Sequence, residues 1–169
     1  MNKKYKALDI ANYIIWYVNE EALGTITPLK LQKILYYVST TYIKFNNEVL
    51  FPESFEKWQY GPVVTEVYHT FKMYGFSRIM SPKSTIEQDN SSALGVRKVE
   101  FNPQRFLIDD EFIKYTNSVI SKLIKKEAFD LVEMTHQESA WKNYEKEILA
   151  GTKELKYTFD ELRAAQDVI

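Results

Sequence analysis

His69 and His136 are the first side chains to test for chemistry, because imidazole is the group that titrates near neutral pH. A zinc site needs three or four Cys, His or carboxylate ligands at recognisable spacing, and neither histidine has such company. No His-Glu-x-x-His run occurs. His136-Gln137-Glu138 has the first half of a zinc-deaminase pattern, but the cysteine pair that completes it is missing from a chain with no cysteine. A structural histidine, bonded to a nearby carboxylate or carbonyl, is the reading the residues favour. Hydrolytic acid–base work would be sought only at His136 with Glu133 or Glu138. No Gly-x-Ser-x-Gly elbow, phosphate loop or dinucleotide fingerprint is present, and five scattered glycines build no phosphate cradle. The paired carboxylates Glu20-Glu21 and Asp109-Asp110 fall at helix ends, where capping and solvation account for them. The sequence supports no enzyme and implies no cofactor and no metal.

Composition sets similar bounds. A chain of 169 residues, 45% hydrophobic and 27% charged, predicts one soluble globular domain spanning residues 1–169. Aromatic residues make up 15%, so packing should be ring-rich. The absence of cysteine fits a reducing cytoplasm, which is the expected location. Met1-Asn2-Lys3-Lys4-Tyr5-Lys6 is basic, but Asp9, Asn12 and Asn19 interrupt the apolar pattern after it. Neither a signal peptide nor a membrane span is read there. Net charge is −1. Residues 1–85 hold 10 Lys/Arg against 7 Asp/Glu, and residues 86–169 hold 12 against 16. That mild asymmetry is not the footprint of a nucleic-acid binder.

The elements that would carry any site are mostly helical. Leu8, Ala11, Ile14, Ile15 and Val18 predict a helix over 5–20, ended by Gly24. Thr27-Pro28 opens a second, with Leu31, Ile34, Leu35, Val38 and Tyr42 in its stripe. Tyr36 and Tyr37 widen that stripe, which predicts a central helix contacted on two sides and closed by Asn46-Asn47. The chain is organised around residues 50–75, centred on Trp58-Gln59-Tyr60-Gly61-Pro62-Val63-Val64. Gly61 reads as a turn and Pro62 as a first helical residue. Val63, Val64, Val67, Tyr68, Phe71 and Tyr74 then recur at helical spacing, up to a left-handed cap at Gly75. Residue by residue, this stretch reads as an aromatic packing corner.

Residues 76–108 are the least regular. Val96–Phe101 reads as a short strand with Phe76–Met80 as its partner, a flexible excursion being the alternative. Asp109 or Asp110 caps a helix running to about residue 126. Lys122, Lys125 and Lys126 lie near its C-terminal end, where the helix dipole favours positive charge. Another helix comes next over 128–135, then a short one ending at Gly151. The last is marked by a Thr158/Glu161 capping box and a Tyr157/Leu162 staple. The fold expected is mainly α: a compact bundle of about six to eight helices, with one short β-hairpin around residues 76–101.

Three blocks together resemble the Panacea domain, the SocA-like or GepA-like antitoxin family. The first is Leu29-Lys30-Leu31-Gln32-Lys33-Ile34-Leu35-Tyr36-Tyr37. The second holds Leu50-Phe51, Glu53, Phe55, Trp58, Tyr60-Gly61-Pro62-Val63-Val64, Val67-Tyr68, Phe71 and Tyr74-Gly75. The third holds Glu133, Thr135-His136, Glu138 and Trp141. They span roughly residues 7–142. Ala140-Trp141 departs from the family's usual proline–tryptophan.

The resemblance implies a mainly helical antitoxin, found in bacteria and prophages, that silences a cognate protein toxin by stoichiometric binding. It would catalyse no reaction. Delivery of the toxin to a protease or chaperone system is one route it would allow. Partner-contact candidates on this basis are Trp58, Tyr60, Tyr68, His136 and Trp141. Gln32, Tyr36, Tyr37, Gly61, Pro62 and Gly75 are expected as framework, and Tyr60 and Tyr68 stand between the two roles. The alternatives are a DNA-binding regulator, with the helix pair 27–45 and 62–74 imitating a helix-turn-helix, and a phage-encoded inhibitor of a host defence protein. Neither membrane nor nucleic acid is the expected partner.

Overall fold

The structure is a computed structural model that describes residues 4–169. The first three residues of the basic N-terminus lie outside the described residues. The architecture is mainly α, as expected. Its axis is α2 (Pro28–Asn46), packed against α1 (Ala7–Glu20) on one side. Thr27 caps α2 through its hydroxyl, Pro28 takes the first turn, and Asn47 closes the helix in the left-handed conformation. The α2 helix is buried almost all round, including the polar Gln32, Lys33, Ser39, Thr40 and Thr41. Such a helix is a core element and not a surface one.

The organising stretch departs from its sequence reading. Pro62 does not start a helix. Strand β1 (Glu56–Trp58) turns through Gln59-Tyr60 into β2 (Gly61–Val63), and Pro62 stands opposite Lys57. Gly61 takes φ +93°, which the turn requires and which L side chains resist. Proline is tolerated in this short strand because no third strand needs its missing N–H. The helix begins only at Thr65, as α3 (Thr65–Phe71), and runs into a single 3₁₀ turn before Gly75 at φ +57°.

A hairpin does form in the region expected, but with another first strand. It joins β3 (Thr85–Gln88) to β4 (Val96–Val99) and is mostly exposed. Residues 76–80 do not pair with it. Ile79 is buried, its N–H donates to the Ile26 carbonyl, and its own carbonyl accepts from the Asn19 side chain.

The remaining helices wrap the axis. They are α4 (Gln104–Leu107), α5 (Asp110–Leu123), α6 (Ala128–His136), α7 (Ser139–Lys142), α8 (Glu145–Leu149) and α9 (Phe159–Arg163). Nine helices are therefore seen among the described residues, the excess over the expected count being single turns such as α4. The α4 turn exists to seat Phe106, which stacks on Tyr5 at 5.0 Å and packs against Tyr13 and Phe112. Asp109 caps α5 and also accepts from the Tyr5 hydroxyl at 2.6 Å.

The C-terminal segment is a strap. Backbone bonds tie Leu155 and Tyr157 to Lys57 and Phe55. The buried Lys57 ammonium meets Glu161 at 2.8 Å. The capping box of α9 is present as read, and its flanking Tyr157 and Leu162 are both buried. Replacing the cap, Thr158→Ala, is expected to lower stability by about 1 kcal/mol in urea denaturation. An unchanged midpoint would show that the strap is anchored elsewhere.

Candidate partner-binding groove

The site is built from backbone carbonyls that side chains hold in place. Along the β1–β2 hairpin, four carbonyls accept from four side chains of neighbouring helices. Trp141 Nε1 donates to the Trp58 carbonyl at 2.9 Å, and His136 Nε2 donates to that of Gln59 at 3.0 Å. Lys33 Nζ donates to Pro62 at 2.8 Å, and Gln32 Nε2 to Val64 at 3.2 Å. Gln32 is used twice, since its Oε1 accepts from the Val64 N–H at 3.0 Å. Its amide thus does for one residue what a neighbouring strand would do.

The loop sits tight on α6. A Cβ added at Gly61 would lie 2.4 Å from Thr135 Oγ1 and 3.0 Å from Lys33 Cε. Thr135 Oγ1 is itself fixed by donation to the Val132 carbonyl at 2.7 Å. The His136 ring lies flat on Trp141, centroids 3.6 Å apart. Burial lowers the His136 pKa. The bond to the Gln59 carbonyl requires the Nε2 atom to carry a proton.

Lys33 is wholly buried and has no carboxylate beside it. Burial pulls its pKa from the ordinary 10.5 down to about 7. One turn further along α2, Tyr36 and Tyr37 donate to the two oxygens of Glu138, at 2.6 and 3.1 Å. Burial first, and then the charge of Glu138, raise both phenol pKa values far above the ordinary range. They therefore stay protonated donors. Gln166 of the strap donates to Glu138 through its backbone, and through its side chain to Tyr37 and to the Met134 carbonyl.

What this frame leaves outward is an apolar groove of about 500 Å³ between the hairpin loop, the start of α2 and α3. Its floor includes Leu31, Val63, Val67 and Phe71. Its mouth carries Tyr60 (50% exposed), Tyr68 (38%), Phe129 (59%) and Phe76 (91%). Trp58 stands half-buried between floor and rim, edge-on to Tyr68 at 4.9 Å, with its N–H given to Glu56. Tyr60 meets Phe129 edge-on at 5.9 Å.

The candidate residues thus divide. Trp58, Tyr60 and Tyr68 line the groove. Trp141 is turned inward, only 3% exposed with its one donor used, and the half-buried His136 stacks on it. They brace the loop from behind. Gln32, Tyr36, Tyr37, Gly61 and Pro62 are buried parts of the same frame, and Gly75 borders the groove. Two contributors, Lys33 of the first family block and Phe129, are not among the site residues expected from the sequence. Lys33 lies off the apolar stripe of α2, and only the all-round burial of that helix gives it a role. Phe129 lies off the stripe of α6, which is itself the available signal of an unburied aromatic.

Among the described residues no group of three His, Cys, Asp or Glu side chains is placed to hold a metal ion. No helix among them is long and apolar enough to cross a membrane. The β1–β2 hairpin lies between α2 and α3, so the helix pair proposed for a DNA groove is not joined by the short turn of a helix-turn-helix.

Fold and groove together define a mainly helical domain that displays a braced hairpin beside an open apolar cleft. The sequence model of the antitoxin SocA-like, Panacea domain matches residues 31–142, and the chain belongs to that family. Comparison with curated proteins and with solved structures gives no match.

Two measurements test the frame. Gln32→Leu strands the buried N–H of Val64, whose carbonyl keeps the Tyr68 N–H, and is expected to lower stability by about 2 kcal/mol. A loss below about 1 kcal/mol would show that water or another donor replaces the amide. Lys33 sets a pH dependence. Its folded pKa of about 7 lies below the ordinary 10.5, so the burial penalty is complete below pH 7. Between those values the unfolded chain binds the extra proton, and stability rises with pH. From pH 7 to 9 the wild type should gain about 2 kcal/mol on Lys33→Met in denaturant titrations. Parallel profiles would mean that Lys33 is not desolvated.

Proposed function

We propose that this protein is the antitoxin of a toxin–antitoxin pair and silences one cognate protein toxin by direct, stoichiometric binding. It catalyses no reaction in doing so, and it acts in the cytoplasm. The observation that carries this reading is the use made of the family's signature side chains. Gln32, Lys33, His136 and Trp141 each give a donor to the hairpin's own backbone and so act as its frame. What remains outward is a rim of aromatic rings, and tyrosine and tryptophan are the residues that carry most interface energy. Trp58, Tyr60 and Tyr68 are the contacts. His136 and Trp141 act through the loop that they hold. A domain of this family keeps the frame and varies the surface around it.

The test is co-expression with the product of the adjacent gene. The neighbour alone should arrest growth, and this protein should restore it. Tyr60→Ala combined with Tyr68→Ala should weaken the purified complex at least about 30-fold, with the circular dichroism of the fold unchanged. A neighbour that is harmless alone removes the basis of the reading.

A further inference from the structure

The groove has a charge as well as a shape. Its walls include one ionised side chain, the exposed Lys72, and no carboxylate. Among the described residues the Lys72 ammonium has no ion pair, hydrogen bond or ring partner. Pro28 and Leu29, the first residues of the 19-residue helix α2, also line the groove, so the positive end of that helix faces it. Both features carry the same sign, and nothing along the walls neutralises them.

The volume suits two or three large side chains and is far too small for a folded domain. The loop that forms one wall is already pinned by side chains from α2, α6 and α7, so the cleft needs no ordering when a partner arrives.

We propose that the groove takes a short segment of the toxin that pairs apolar side chains with a carboxylate. The apolar side chains enter between Tyr60, Tyr68 and Phe129, and the carboxylate meets Lys72 beside the start of α2. This rests on the antitoxin reading and specifies its contact chemistry. A second copy of the chain is the competing occupant.

Two arms separate the possibilities. The first uses 8-anilinonaphthalene-1-sulfonate, an aromatic anion, and N-phenyl-1-naphthylamine, its neutral counterpart. The wild type should bind the sulfonate about tenfold tighter than the neutral amine. Lys72→Gln should abolish that preference while leaving the neutral probe's affinity in place, and Phe129→Ser should weaken both probes. Equal binding of the two probes by the wild type overturns the proposal, and so does a preference that survives Lys72→Gln. Both substitutions are at exposed positions, and matched urea midpoints verify the fold.

The second arm repeats the co-expression with Lys72→Glu and with Phe129→Ser. Loss of protection in both, with wild-type protection intact, supports the proposal. Full protection by both variants overturns the groove and leaves the antitoxin reading standing. A wild type that fails to protect overturns both, whatever the probes report. A stable dimer that Phe129→Ser converts to monomer assigns the groove to a second copy and overturns the proposal.

Discussion

A hairpin loop laid on a helical body brings carbonyl groups that no neighbouring strand can satisfy, and this constraint organises the molecule. The carbonyls of Trp58, Gln59, Pro62 and Val64 are met one by one, by Trp141, His136, Lys33 and Gln32. An unpaired buried polar group costs as much as a lost hydrogen bond or more; the Val64 carbonyl keeps a second donor in the Tyr68 N–H, and there it is the Val64 N–H that depends on Gln32. The demand reaches back into the helices. The α2 helix must turn polar side chains toward the hairpin, which is why it is buried on more than its apolar stripe. The segment Thr135–Trp141 must bend between α6 and α7 so that both an imidazole and an indole face the same loop.

The same solution recurs wherever an extended segment crosses a helix. Asn12 of α1 pairs both ways with the backbone of Lys83, at 2.7 and 2.9 Å, as Gln32 does with Val64. Asn19 holds the carbonyls of Ile79 and Met80. Side-chain amides thus replace the missing strands, and small pieces of extended chain can be kept on a helical core. Glu138 plays the complementary part, since its one carboxylate collects Tyr36, Tyr37 and the C-terminal Gln166. The strap is thereby joined to the same frame as the loop. The least favourable member is Lys33, a buried amine whose charge is disfavoured, and whose position is explained by the carbonyl it reaches.

Much of the fold was legible because helices announce themselves locally. The stripe of α1, the Thr27-Pro28 start of α2, the Asp109 cap of α5 and the box at Thr158 all depend on residues within one turn. The hairpin at 56–63 was not legible, since Gly61-Pro62-Val63-Val64 satisfies the start of a helix as well as a turn and a strand. What decides is Gln32, some thirty residues away, which claims the backbone of Val64 and delays the helix to Thr65. The same limit applied to the site. His136 and Trp141 were found as a motif, but the side they face depends on the position of the hairpin. Tyr60 and Tyr68 read equally as frame or contact in the sequence, and the fold adds that both are exposed at the groove mouth. Phe129 gave no signal beyond falling outside its helix's stripe.

The central claim is that the hairpin is part of the core and moves only when the core unfolds. Native-state hydrogen exchange at the Val64 amide tests it most directly, because that N–H is held by the Gln32 side chain alone. The account predicts that Val64 exchanges only through global unfolding, with the opening free energy measured for the core amides of α2. Fast exchange at Val64 while α2 stays protected would contradict it, for the loop would then open on its own.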